Sequence, residues 1–198
     1  AYQFEALLGN RGGRQDQWAA AIGGVQHLMF VGDRVEAMPF EPLDSAKRWL
    51  CRQMVLAYTG ISHSSGDIHN GVWSRYDEGD EVVLNSLLTI RKAARRVAEG
   101  FGKDRRDEVV FGVRDVTAAI EAMAPELNAP YREVIDPLMA NKSAMAWKGM
   151  GAAGGGCVGI FANQGKTDEV KAACQAAGWK ILEWEIDEVG LQRQIIES

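Results

Sequence analysis

Apolar residues recur along this chain at two periods, and the periods separate helices from strands. Val83, Leu87, Ile90, Ala94 and Val97 follow one another at intervals of four and three, an apolar stripe at helical period. Val109, Val113, Val116, Ile120 and Met123 repeat the arrangement. These stripes predict helices near residues 80–99 and 106–124. Pro130 suits a first helical turn and opens a third helix, running to about Asn141. Thr167, with Asp168 and Glu169 after it, starts a fourth that Gly178 stops. Short apolar runs near 50–58, 144–150 and 157–161 read as strands. Near 180–186, Leu182, Trp184 and Ile186 alternate with charged residues, as a strand with one buried face does. The order is β, three helices, β, β, α, β. It predicts an α+β fold, a layer of helices on a four-stranded, mainly antiparallel sheet.

The first 44 residues follow a different pattern. Residues 2–8 read as the last turns of a helix stopped at Gly9-Asn10, and Gln17 to Ile22 as a short helix that Asp16 caps and Gly23-Gly24 end. Two strands follow, around 25–31 and 35–40, joined by a Gly32-Asp33 turn. Pro39 and Pro42 mark a boundary near Leu43, dividing the chain into 1–44 and 45–198. No internal repeat or low-complexity segment interrupts either part.

Composition narrows the functional classes. The 198 residues are enough for one domain, or a domain plus a fragment, with a buried core. A net charge of −5 argues against a general nucleic-acid or anionic-membrane binder, both of which use a basic surface. The basic run from Arg91 to Arg96 lies opposite its helix's apolar stripe and reads as a solvated face. Cys51, Cys157 and Cys174 are far apart and lack CxxC spacing, which fits reduced thiols in a cytoplasmic protein. His27, His63 and His69 fit no usual zinc pattern. No apolar run reaches the roughly 20 residues a bilayer requires, and no signal-peptide pattern stands at Ala1. The chain opens inside what reads as a helix, so it is expected to be a piece of something longer.

Two segments carry candidate chemistry. In Gly12-Gly13-Arg14-Gln15-Asp16-Gln17 the glycines permit close backbone approach, and Arg14, Gln15 and Gln17 supply donors that a helix cap does not need. Glu5 stands eleven positions before Asp16. The second segment, Lys148 to Cys157, contains the formal pattern GxGxxG from Gly149 to Gly154. A dinucleotide fingerprint must end at a helix N-terminus, and this one continues into an apolar strand. A Walker-type loop fails too, because no Lys-Ser or Lys-Thr ends the run. Six glycines within residues 149–159 exceed the needs of a hairpin and suit a loop that comes close to a ligand.

These two segments, in this order, resemble those of the GHMP kinases, and most nearly the branch that phosphorylates heptose and fucose. The resemblance spans Glu5 to about Ile186. It implies a ferredoxin-like C-terminal kinase domain, with residues 1–44 a remnant of the N-terminal domain. It implies ATP- and magnesium-dependent phosphoryl transfer to a sugar hydroxyl, with Asp16 as catalytic base and Glu5 as magnesium ligand. Gly12, Gly13, Arg14, Gln15 and Gln17 would contact the sugar, as would Thr59 and Gly60, which match the family's YTG segment. His63 stands where an arginine is common, so a substrate phosphate would be held differently or be absent. Lys148, Gly151, Ala152, Gly154, Gly155 and Gly156 match the family's active-site loop, whereas Ala153 replaces a glycine. The family's other glycine- and serine-rich loop, which wraps the ATP phosphates, has no counterpart here. The chain alone is therefore expected to turn over negligibly, and to have its first 44 residues covered by a missing segment or a second copy. A kinase-like binding domain without turnover, and a kinase of another small alcohol, are the alternatives.

Overall fold

The computed structural model describes Leu7, residues 13–61 and residues 65–192. The expected helix end at residues 2–8, with Glu5, and also Gly12 and His63, lie outside the described residues. The chain divides into two compact units, Glu41–Trp184 and a smaller one of Ala1–Phe40 with Glu185–Ser198. Residues 185–198 thus group with the beginning of the chain, where the sequence pattern assigned them to the domain opening at residue 45.

In the smaller unit, α1 (Gln15–Ile22) is followed by a hairpin of β1 (Leu28–Val31) and β2 (Arg34–Ala37). The strands pair antiparallel around the Gly32-Asp33 turn, where Gly32 takes φ 56°. Gly23 ends α1 at φ 77°, and Gly24 continues at φ 63°. A side chain at Gly23 would strike the Gly190 nitrogen at 2.5 Å. The stretch 187–191 crosses that helix end, held by Gly24 N–H to Asp187 O (2.6 Å) and Leu191 N–H to Ala21 O (3.1 Å).

The larger unit carries the sheet. Its elements are α2 (Asp44–Gln53), β3 (Met54–Tyr58), α3 (Ser65–Asp77), α4 (Glu81–Gly102), α5 (Arg106–Met123), a 3-10 turn (Pro125–Leu127), α6 (Ala129–Ala140), β4 (Ala144–Gly149), β5 (Cys157–Ala162), α7 (Thr167–Ala176) and β6 (Lys180–Leu182). Four strands pair antiparallel in the order β4-β5-β3-β6. That order, with helices crossing from β3 to β4 and from β5 to β6, is the ferredoxin-like βαββαβ arrangement. The α+β architecture expected from the hydrophobic pattern is present.

Four details differ from the sequence pattern. The apolar run expected as a strand near 50–58 begins as helix α2, which buries Ala46 and Trp49 three positions apart, and becomes a strand only at Met54. A short apolar run fits either period, and contacts with the rest of the fold decide. Helix α3 had no sequence signal, since Gly66, Asn70 and Gly71 dilute its propensity. On α4 the buried positions include Val83, Ser86 and Ala93, while Ala94 is exposed. The last strand pairs only over Lys180–Leu182, although Trp184 and Ile186 keep their half-buried alternation.

One face of the sheet, with Val55, Ala57, Val158 and Ile160, meets Ile120, Tyr131, Ile135, Leu138, Val170 and Cys174 from the helices in a single core. Asp80 caps α4, accepting from the Val82 and Val83 N–H groups. Arg75 grips Asp80 (2.8 Å) and the Met123 carbonyl, tying that cap to the end of α5. Helices α4 and α5 approach closely at two glycines. A side chain at Gly100 would meet Val109 Cγ2 at 2.8 Å, and one at Gly112 would meet Val97 Cγ2 at 2.5 Å and Ala93 O at 3.0 Å. Gly112→Ala therefore forces these helices apart. It should destabilise the protein by about 1–3 kcal/mol despite alanine's better helix propensity, which urea unfolding measures. A stabilised variant would contradict the close packing.

Burial pushes the Cys174 thiol up to about 11, from 9.0 when solvated. Above pH 9 the unfolded chain releases this proton while the folded one keeps it. The stability tied to the neutral thiol is therefore complete below pH 9 and is lost as pH rises towards 11. Unfolding midpoints across that range should fall for the wild type and fall less for Cys174→Ala. Equal slopes would contradict the assignment.

Candidate functional site

The residues from Gly13 to Gln17 form the entry to α1. The helix starts at Gln15 with Arg14 at its N-cap, so Asp16 lies in the first turn and is not the cap. This corrects the local expectation for Asp16. Its carboxylate is exposed, in the turn whose partial positive charge favours an anion. The Gln15 amide folds back over Gly13, leaving no room there for a side chain. Gln17 is half-buried.

Arg14 makes contacts that the sequence did not announce. Its guanidinium donates to the carbonyls of Asp33 (2.9 Å) and Gly32 (2.5 Å) in the hairpin turn and lies over the Phe30 ring at 5.8 Å. It fastens the first turn of α1 to the β1–β2 hairpin. Glu5 and Gly12, expected as metal ligand and sugar contact, lie outside the described residues.

In the larger unit, the glycine segment joins β4 to β5, strand to loop to strand, as the rejection of the dinucleotide pattern required. Its backbone takes an unusual run of conformations. φ is 61° at Gly151, 62° at Ala153, 77° at Gly154, 143° at Gly155 and 64° at Gly156. Ala153 thus adopts the left-handed form that favours glycine, at a cost of about 1–2 kcal/mol. Its methyl group is buried in the core, which offsets that cost.

The loop's peptide donors point inward. Ala153 N–H bonds to Met150 O (3.3 Å), Gly154 N–H to Leu127 O (2.8 Å) and Gly156 N–H to Ile61 O (2.8 Å). Gly155 N–H bonds to the Tyr131 hydroxyl (2.9 Å). Gly151 is exposed with open space where a side chain would stand, and Ala152 is half-buried. The exposed part of the loop is therefore its Gly151-Ala152 tip, not a nest of amides.

Thr59 and Gly60 stand beside this loop. The Thr59 hydroxyl donates to Gly156 O (3.0 Å) and accepts from Ile61 N–H (3.2 Å), while Thr59 N–H also reaches Gly156 O (2.9 Å). Gly60 turns the chain at φ 79°. Lys148, on β4, is half-buried and donates to Gly149 O at 2.7 Å. The residue that sequence reasoning missed is Tyr131. Fully buried, it holds Gly155 from 24 positions away. Among the described residues, no three His, Cys, Asp or Glu side chains converge on a metal position, and no helix is long and apolar enough to cross a membrane.

Comparison with known proteins places the fold. No family model matches the chain, and no curated protein matches it by sequence. Solved structures do match. A D-glycero-D-manno-heptose 1-phosphate kinase from Bacteriodes thetaiotaomicron superposes with a TM-score of 0.70 at 19% identity, covering 98% of this chain and 52% of that one. Lactococcus lactis galactokinase, solved with galactose, superposes with a TM-score of 0.64 at 11% identity, covering 94% of this chain and 57% of that one. The chain spans about half the length of these structures. The chain shares the fold of these two kinases over the part it covers.

Proposed function

We propose that this chain supplies the acceptor-side machinery of a sugar kinase that transfers the terminal phosphoryl group of ATP to a sugar hydroxyl. The observation that carries the reading is Asp16, exposed in the first turn of α1 and not spent on capping it, within a fold shared with sugar kinases. Asp16 takes the proton of the attacking hydroxyl. The sugar oxygen then bonds to the terminal phosphorus, the bond from that phosphorus to the bridging oxygen breaks, and ADP departs. Such a transfer asks mainly for positioning and charge stabilisation. Glu5, a hard oxygen donor, would hold magnesium, which when bound would supply positive charge against the phosphates. Gly12, Gly13, Gln15 and Gln17 are the proposed sugar contacts. Arg14 serves the site by fastening the first turn of α1 to the β1–β2 hairpin. Thr59, Gly60, Lys148 and Gly151 to Gly156 shape the active-site loop, and a cytoplasmic location belongs to the same reading.

The test is a screen of the complete gene product with MgATP against sugars and sugar phosphates, reading ADP release. Turnover with a sugar supports the kinase. A second reading, ligand binding without turnover, draws on the inward-turned amides of Ala153 to Gly156, which leave little to grip a phosphate. Sugar or nucleotide binding without ADP release across the panel would favour it.

A further inference from the structure

The glycine loop takes conformations that an unsupported chain would not keep, and two buried or nearly buried hydroxyl groups stand where they can fix it. The Tyr131 hydroxyl accepts from Gly155 N–H at 2.9 Å and donates to Gly155 C=O at 2.5 Å. It thereby satisfies both polar groups of a residue whose φ of 143° only glycine tolerates. The Tyr131 ring is itself immobilised, edge-on to Trp147 at 5.6 Å and to Trp179 at 6.5 Å. Burial raises the phenol's pKa, so it remains a donor across the physiological range. At the next residue, Gly156 C=O accepts from the Thr59 hydroxyl at 3.0 Å.

A third feature is explained by the first. A side chain at Gly149 would meet the Tyr131 hydroxyl at 2.9 Å, its ring at 3.0 Å and the Ala153 methyl at 2.8 Å. Gly149 is the space into which Tyr131 reaches. Its place in the loop pattern thus reflects the clamp rather than a ligand.

We infer that Tyr131, with Thr59, is a positioning residue that clamps the Gly154–Gly156 backbone and so fixes the geometry of the Gly151-Ala152 tip. The clamp joins the start of α6 to the end of β3 through the loop, so neither element shifts without moving it. Its consequence for turnover rests on the kinase reading, whereas its consequence for the loop does not. A displacement of about 1 Å in a positioning element can cost about 10²-fold in rate.

The experiment is amide hydrogen exchange, resolved at Gly155 and Gly156, on wild type, Tyr131→Phe, Thr59→Val and Gly149→Ala, with steady-state kinetics beside it. Tyr131→Phe should speed exchange at Gly155 by about 10-fold or more, the loss of one buried hydrogen bond's worth of protection, while Val158 to Phe161 in β5 stay protected. Gly149→Ala should reproduce the effect from a different element, and Thr59→Val should act at Gly156 should Tyr131→Phe fail to fold. Kinetically, kcat should fall about 10–100-fold with KM for ATP little changed. Unaltered exchange at Gly155 and Gly156 would overturn the inference. So would faster exchange with an unchanged kcat, since the loop's geometry would then not matter to the site. With kinetics read on the complete gene product, a wild type without turnover would sink the kinase reading alone, and the exchange data would still decide the clamp.

Discussion

Asp16→Asn should lower kcat for phosphoryl transfer by about 10²–10⁴-fold, the usual contribution of a positioned general base. Folding stability should change little, by no more than about 1 kcal/mol for the lost charge at the helix start, and the structure sharpens that half of the expectation. Because Arg14 holds the cap position and Asp16 stands exposed one residue inside the helix, no capping bond is lost on substitution. Nucleotide affinity should also survive, because Asp16 is assigned to the sugar hydroxyl and not to the phosphates. Enzyme kinetics, thermal unfolding and nucleotide titration on the same preparation separate the three effects. A variant with wild-type turnover and a lowered Tm would show the aspartate to be a structural residue of α1.

Ile135→Ala should destabilise the protein by about 2–5 kcal/mol. Ile135 is fully buried on α6, and it lies in the core between the helix layer and the sheet. Removing three methyl or methylene groups there loses their transfer free energy and leaves a cavity that rigid neighbours such as Tyr131 and Trp147 fill poorly. For a chain of this size the loss corresponds to a Tm lower by about 4–20 °C. Chemical denaturation measures it directly. A cost under about 1 kcal/mol would mean that α6 is not seated on the sheet as described.

Helices α4 and α5 were legible because each buries one stripe, and burial imposes the period. Helices α6 and α7 were legible from their end signals, Pro130 at one start and Thr167 with the acidic pair after it at the other. Strands β4 and β5 were legible as apolar runs bounded by turns. The boundary between α2 and β3 was not. Trp49, Leu50, Met54, Val55 and Leu56 make one apolar stretch, and only the pairing of Met54–Tyr58 with β5 decides where helix gives way to strand. Helix α3 was hidden by its glycines and asparagine, residues that favour turns when read locally.

The candidate site divides in the same way. The glycines of the 151–156 loop declared a backbone of unusual shape, and that shape is present, with Ala153 included. What holds it was invisible, because no local pattern links Tyr131 to Gly155 or Thr59 to Gly156, 97 positions apart. Arg14 shows the converse. A side chain rich in donors beside Asp16 suits a ligand when read locally, and no local pattern announced its bonds to carbonyls 18 and 19 positions along the chain.

The most direct test follows the phosphate itself. The complete gene product is incubated with magnesium and ATP labelled at the terminal phosphate, together with the sugar that releases most ADP, and the labelled products are separated. The account predicts labelled sugar phosphate and ADP in equal amounts from the wild type, and a rate about 10²–10⁴-fold lower from Asp16→Asn. Transfer at the same rate by both proteins, or sugar binding without any labelled sugar phosphate, would contradict it.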